Sequence, residues 1–197
     1  MNGTTALLII DVQRGYFDGK PGLHEPDRFL DVLTRLLDRA RAAEIPVVYT
    51  RYAGEPGNVV EYGTEAFDVH DRVAPAPADY VLDKRSTDSF HETGLNELLT
   101  RLGVDHLCVT GCVSELCVDT TCRSALVQGY RTTLVADGHA TVDAPLEGVP
   151  PRQRADLLNL VLSRVGTADR MISVRRAEEV TFTTVGSAGS LRESRSH

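Results

Sequence analysis

The sequence contains no apolar run near the ~20 residues of a membrane-spanning helix. It has no dense block of Lys or Arg, no Cys-x-x-Cys pair, no internal repeat and no linker that would separate two domains. The first absence argues against a membrane partner. The second argues against nucleic acid as the main partner, since the net charge of -7 comes from acids and bases that are interspersed. The four cysteines, Cys108, Cys112, Cys117 and Cys122, are crowded into one short stretch at spacings of four, five and five. A secreted disulfide framework spreads its cysteines to staple distant parts, so this clustering does not read as one. A zinc site on them would need histidines at ligand spacing, and His106 alone does not supply that. The first apolar stretch lacks a basic leader and runs straight into Asp11, so it reads as a strand and not a signal peptide, with cytoplasmic location as the expectation.

What is present suits one α/β domain. A chain of 197 residues, 42% hydrophobic and 25% charged, can bury a full core. Strand-like runs alternate with helix-period segments. Residues 5–10, 47–50, 79–83, 105–110, 131–136 and 171–174 read as strands. Residues 27–44 read as a helix with Phe29, Leu33, Leu36, Leu37 and Ala40 on one stripe. Further helices are expected over 93–102, with Thr93 as cap and Gly103 as stop, over 115–128, and over 151–165. This alternation predicts a three-layer α/β/α, Rossmann-like fold around a mostly parallel sheet, with right-handed crossovers. The domain is expected over 1–182, followed by a frayed Ser/Gly/Arg-rich tail over 183–197. The stretch 53–78 is Gly- and Pro-punctuated without periodicity; a connection that long is usually functional or carries short elements of its own.

Three chemically distinct residues sit at predicted strand ends. Asp11 ends Ala6-Leu7-Leu8-Ile9-Ile10, Lys84 follows Tyr80-Val81-Leu82-Asp83, and Cys117 lies a few turn residues beyond Val109-Thr110-Gly111. In a parallel sheet those ends share one crevice. Cys117 near a helix start predicts a thiolate favoured by unpaired N–H groups and the macrodipole. Cys108 and Cys122 fall on apolar faces and read as small core residues. Asp137 reads as a turn-holding residue, and His139 as a surface or structural histidine.

In these pieces the chain resembles the isochorismatase-like cysteine hydrolases, a superfamily that includes nicotinamidases, N-carbamoylsarcosine, ureidoacrylate and maleamate amidohydrolases, and streptothricin hydrolase. The matching pieces are Leu8-Ile9-Ile10-Asp11-Val12-Gln13 with Phe17, and Asp83-Lys84-Arg85 with Ser89-Phe90. Thr110-Gly111-Cys112-Val113-Ser114-Glu115-Leu116-Cys117-Val118 and Val135-Ala136-Asp137 complete them, in the family's order over roughly residues 5–180. The resemblance implies an Asp11–Lys84–Cys117 triad, with Asp11 as proton acceptor and Lys84 as the cation favouring thiolate and carboxylate together. It also implies a cis peptide at Cys112–Val113 and an oxyanion hole from the backbone N–H groups of Val113 and Cys117. Gln13, Phe17, Cys112 and Ser114 are the substrate-side candidates. A small-molecule substrate and a homodimer or higher homo-oligomer are expected, with no cofactor.

The resemblance also has limits. Metal-binding nicotinamidases carry an Asp-x-His pair after the second strand, whereas here that stretch reads Thr50-Arg51-Tyr52-Ala53-Gly54-Glu55, and His70 alone does not rebuild a site. This argues against a metal and against nicotinamide. True isochorismatases cleave a vinyl ether without needing the thiol, so Cys117 favours hydrolysis of an amide, lactam or ureido C–N bond. The run 114–123 is most similar to the amidase-type members, streptothricin hydrolase among them. The alternatives are a vinyl ether hydrolase and a non-catalytic binding or assembly relative. A cationic substrate would suit Glu55, Glu61, Glu65 or Glu115.

Overall fold

A computed structural model describes residues 4–182, so the tail expected from residue 183 lies outside the described residues. Six strands, β1 (Thr4–Ile10), β2 (Val47–Tyr52), β3 (Tyr80–Lys84), β4 (Val104–Cys112), β5 (Arg131–Ala140) and β6 (Ser173–Arg175), form one sheet. Its order is β3-β2-β1-β4-β5-β6, and every pairing is parallel. The helices are α1 (Arg14–Asp18), α2 (Pro26–Ala42), α3 (Leu95–Arg101), α4 (Asp119–Val127) and α5 (Pro151–Leu162).

The central strand shows why the sheet is covered on both faces. Residues 6–10 of β1 are all apolar and all buried, the pattern of a parallel strand with a helical layer on each side. Ala6, Leu8 and Ile10 join the core under α3, α4 and α5, while Leu7 and Ile9 join the core under α2. α2 starts at Pro26, whose fixed φ suits the first helical position, and its predicted stripe of Phe29, Leu33, Leu36, Leu37 and Ala40 is buried throughout.

Several boundaries differ from the sequence reading for local reasons. α3 begins at Leu95, and the Thr93 hydroxyl accepts the Leu95 N–H at 3.3 Å from just outside it. Gly103 then turns the chain out at φ 65°. The helix expected over 115–128 is two pieces. A wider π turn, Ser114–Val118, comes first, with Val118 N–H donating to Val113 C=O at 3.3 Å, and α4 follows. The single turn α1 was not foreseen. The 53–78 connection does carry short elements, 3₁₀ turns at Glu65–Phe67 and Asp71–Val73.

The chain builds β1, β2 and β3 outward on one side, then crosses to lay β4 on the other side of β1. Strand direction of growth reverses between β1 and β4, and the crevice beyond their carboxyl ends is where α/β sheets hold ligands. Asp11 and Cys117 both stand there.

Candidate active site

Asp11 follows β1 with φ 53°, a left-handed conformation uncommon for anything but glycine. Backbone bonds hold it in that state. Its N–H donates to Thr50 C=O at 2.9 Å, and its own C=O accepts from Gln13 N–H at 2.9 Å and from the Cys112 thiol at 3.0 Å. Beside it, Gly111 lets β4 approach β1: a Cβ at Gly111 would lie 2.1 Å from Ile10 O, and the residue has φ 126°. The peptide between Cys112 and Val113 is cis.

Lys84 ends β3, which is separated from β1 by β2. Two strand spacings put about 10 Å between those backbones. The long unbranched side chain of Lys84 crosses over β2, above the Tyr52 ring at 5.2 Å, and its Nζ reaches Asp11 Oδ2 at 2.7 Å. The same Nζ donates to Cys117 Sγ at 3.3 Å and to Ser86 C=O at 2.8 Å. The acid, cation and thiol expected from the strand ends therefore meet, and the side chains of Asp11 and Lys84 are wholly buried.

Burial sets the charge state. Desolvation raises the Asp11 carboxyl, and Lys84, Cys117 and Thr50 only partly offset it. Burial pulls the Lys84 ammonium down, but Asp11 and Cys117 outweigh that and its net shift is upward. The Cys117 thiol is pushed up to about 12, first by desolvation and then by the Asp11 charge, against the opposing pull of Lys84. Burial and the neighbouring carboxyl thus hold the Cys117 thiol toward its neutral form, beside a Lys84 whose charged form is favoured. Burial therefore opposes the thiolate expected from a helix start. Cys117 sits inside a π turn, 5% exposed, with a carboxylate nearby, and burial and that charge outweigh the cation. Asp11 Oδ2 has no hydrogen-bond partner among the described residues besides its ion pair, which leaves it a lone pair for a proton.

A chain of buried hydroxyls, missed by the sequence reading, lies beneath. Thr50 Oγ1 donates to Asp11 Oδ1 at 3.4 Å and lies 3.4 Å from Ser89 Oγ, which accepts from Thr121 Oγ1 at 3.0 Å. These contacts depend on how strands pair, although Ser89 and Thr121 each lay in or beside a motif.

The substrate-side candidates are placed differently. Gln13 is fully buried and all its amide bonds go to backbone: Nε2 to Tyr52 C=O at 3.0 Å and Phe67 C=O at 2.9 Å, with Oε1 accepting Tyr52 N–H at 2.8 Å. It ties the 53–78 connection to β1. The Cys112 thiol is held by Asp11 C=O, and Ser114 Oγ lies 2.8 Å from His139 Nδ1; both residues are fully buried. Phe17 stacks near Phe29 and against His70, at 6.4 and 4.4 Å between ring centres. None of these four lines the cavity beside β3, and neither do Asp11 and Cys117. Cys108 and Cys122 are fully buried as expected, and Asp137 holds a turn, accepting Ala177 N–H at 2.7 Å. His70 Nδ1 accepts Arg72 N–H. Among the described residues, no three His, Cys, Asp or Glu side chains are grouped as a metal site would need.

That cavity, about 520 Å³, is lined by Ala53, Tyr62, Asp83, Lys84, Arg85, Ser86, His91 and Glu92. Its charges mostly pair off: Asp83 with Arg51 at 2.8 Å and Arg85 with Glu55 at 3.1 Å. The carboxylates singled out from sequence are largely committed, Glu55 to Arg85, Glu61 to Gly57 N–H and Glu115 to Arg154. Glu92, also in the lining, has His91 as its one ion-pair neighbour among the described residues, at 3.9 Å.

Residues 5–161 match the isochorismatase domain. The chain belongs to the isochorismatase family. It is 44% identical over 140 residues to a streptothricin hydrolase of Streptomyces noursei, covering 71% of this chain and 56% of that protein. It thus spans little more than half the length of that relative. It is 31% identical over 170 residues to nicotinamidase 3 of Arabidopsis thaliana, covering 79% of each. An isochorismatase-family crystal structure from Pseudomonas putida KT2440 superposes with a TM-score of 0.81 at 31% identity, over 90% of each chain. The fold and the family expected from the strand-end residues are therefore both found.

Proposed function

We propose that this isochorismatase-family protein is a cysteine amidohydrolase that cleaves a C–N bond of a small molecule, with Asp11, Lys84 and Cys117 as its catalytic residues. The observation that carries the reading is one ammonium, Lys84 Nζ, within 2.7 Å of Asp11 and 3.3 Å of Cys117, beyond the carboxyl ends of the central strands. A substrate carbonyl enters over Cys117. Asp11 takes the thiol proton as the sulfur adds to the carbonyl carbon, and the carbonyl oxygen becomes an oxyanion facing the Val113 and Cys117 N–H groups. The tetrahedral adduct collapses, the C–N bond breaks, and Asp11 returns the proton to the leaving nitrogen. The thioester left on Cys117 is then attacked by water, Asp11 accepting the water's proton and passing it to the departing sulfur. Lys84 keeps Asp11 ionised between these transfers and stabilises the transient thiolate. The raised Asp11 pKa suits an acceptor that must also give the proton back.

The streptothricin hydrolase relative makes streptothricin the first substrate to test, followed by lactams, primary amides and ureido acids. The nicotinamidase relative adds nicotinamide to the panel. Release of ammonia or amine by the purified protein, lost in Cys117→Ala, is the expected result. Hydrolysis that persists in Cys117→Ala would exclude the thiol as nucleophile. Turnover is expected to survive exhaustive chelation; loss with EDTA and recovery with zinc would contradict the metal-free reading. A homodimer belongs to the same proposal. Exposed Leu157, Leu160 and Val161 on α5 give an apolar face for it, and sedimentation as a monomer only at micromolar concentration would exclude it.

A further inference from the structure

His139 is a buried titratable group that this mechanism does not use. It reaches its place through an irregularity of the sheet. On β4 the step from Val109 to Gly111 is matched on β5 by the step from Leu134 to His139. The extra residues bulge out at Ala136-Asp137-Gly138, and a Cβ on Gly138 would press within 2.8 Å of Val135. Bulges beside functional sites re-aim side chains. Here the excursion sends Asp137 outward to Ala177 and Arg176, then returns His139 opposite Gly111 at the root of the turn carrying Cys117.

The hydrogen bonds fix the imidazole's tautomer. Asn159 Nδ2 donates to Ala136 C=O at 3.0 Å, so its Oδ1 is the atom 3.1 Å from His139 Nε2. A carbonyl oxygen only accepts, so Nε2 carries the hydrogen. Nδ1 of the neutral ring is then an acceptor, and Ser114 Oγ donates to it at 2.8 Å. Burial lowers the His139 pKa, which favours this neutral form. The next residue of the turn is held in the same way: Glu115 accepts from Thr141 Oγ1 at 2.6 Å and Arg154 Nη1 at 2.7 Å. The first two residues of the π turn are thus bolted to β5 and α5, and Cys117 follows within one turn.

We infer that His139 is a positioning residue, which through Ser114 sets where the π turn holds the Cys117 sulfur. This rests on Cys117 being the reactive thiol but not on the substrate being an amide. The test is the pH dependence of Cys117 alkylation by iodoacetamide in the full chain, with labelling located by mass spectrometry. It is joined by kcat and KM per alkylatable site for whichever substrate the wild type hydrolyses. In His139→Ala the turn loosens and water reaches the sulfur. Its alkylation profile is expected to move to lower pH, and kcat to fall about ten- to a hundredfold with little change in KM. His139→Asn, whose amide oxygen takes the place of Nδ1, is expected to restore most of both. If His139→Ala does not fold, Ser114→Ala removes the same bond and should give the same shift in profile. An alkylation profile that stays at the wild-type position in the folded variant would overturn the inference, whatever the substrate. A loss confined to thermal stability would overturn it too.

Discussion

Asp83 and Lys84 are neighbours on β3, and each makes an ion pair across the sheet. They point to opposite faces, so the two pairs live in different media. Asp83 meets Arg51 on the α2 face at 2.8 Å, with 38% and 24% of their side chains exposed. Lys84 meets Asp11 on the other face at 2.7 Å with both side chains at 0%. Bond lengths are alike, yet the first pair is screened by water while the second has lost its hydration altogether. Exposed pairs contribute about 0–1 kcal/mol, and many contribute nothing measurable. A buried pair yields little net gain when formed, but breaking one side strands a charge at about 3–5 kcal/mol. A centre this costly to disrupt is weak as a device for stability, which agrees with the proton-transfer role proposed for it.

The largest effect should come from stranding one charge. Lys84→Met leaves Asp11 buried without its cation and is expected to lower stability by about 3–5 kcal/mol while abolishing turnover. Pairing it with Asp11→Asn should recover much of that stability and none of the activity. Urea unfolding of the single and double variants measures this, and a single variant as stable as wild type would show that water already reaches the pair.

Cys117→Ala separates the chemistry from the fold. It removes a small group, 5% exposed, and leaves the ion pair intact, so activity should vanish while the urea midpoint moves little. Retained turnover would remove the thiol from the mechanism. The charge state can be probed without any substrate. Because the thiol is pushed up to about 12 by burial and Asp11, its neutral form dominates below that pH. Alkylation of Cys117 should be slow at pH 7 and rise about tenfold per pH unit through the alkaline range. Rapid labelling at neutral pH, flat with pH, would mean that Lys84 and not burial governs the sulfur.

These contrasts mark what could be read from the sequence. Asp11, Lys84 and Cys117 were legible because apolar runs end abruptly at them, and parallel strands bring such ends together. Cys108 and Cys122 were legible from apolar periodicity. Gln13 was named as a substrate-side candidate; its amide bonds go to the backbone of Tyr52 and Phe67, which no local pattern discloses. The Thr50–Ser89–Thr121 hydroxyls become contacts only once strand register is fixed. His139 lay hidden because a bulge, unlike a strand, has no period, and its value comes from the three residues it skips past. The burial that opposes a Cys117 thiolate was hidden for a related reason. A helix and a π turn share one sequence pattern, and only packing shows how deep the sulfur lies.

The smallest effect tests the exposed side of the comparison. Asp83→Asn removes the carboxylate facing Arg51 but leaves its position on β3 and its cavity-wall contact in place. Arg51 does not become stranded, since its guanidinium also lies 4.2 Å from the Phe67 ring and 3.9 Å from Asp68. The loss should be no more than about 1 kcal/mol, a fall in Tm of about 2–4 °C for a chain of this size. Added salt should narrow the gap between variant and wild type, because only a hydrated pair is screened. Lys84 keeps its contacts to Asp11, Cys117 and Ser86 on the opposite face, so kcat should hold near its wild-type value. A drop in kcat tenfold or more would show that the two faces of β3 are coupled, and that the neighbouring pairs act as one network and not two.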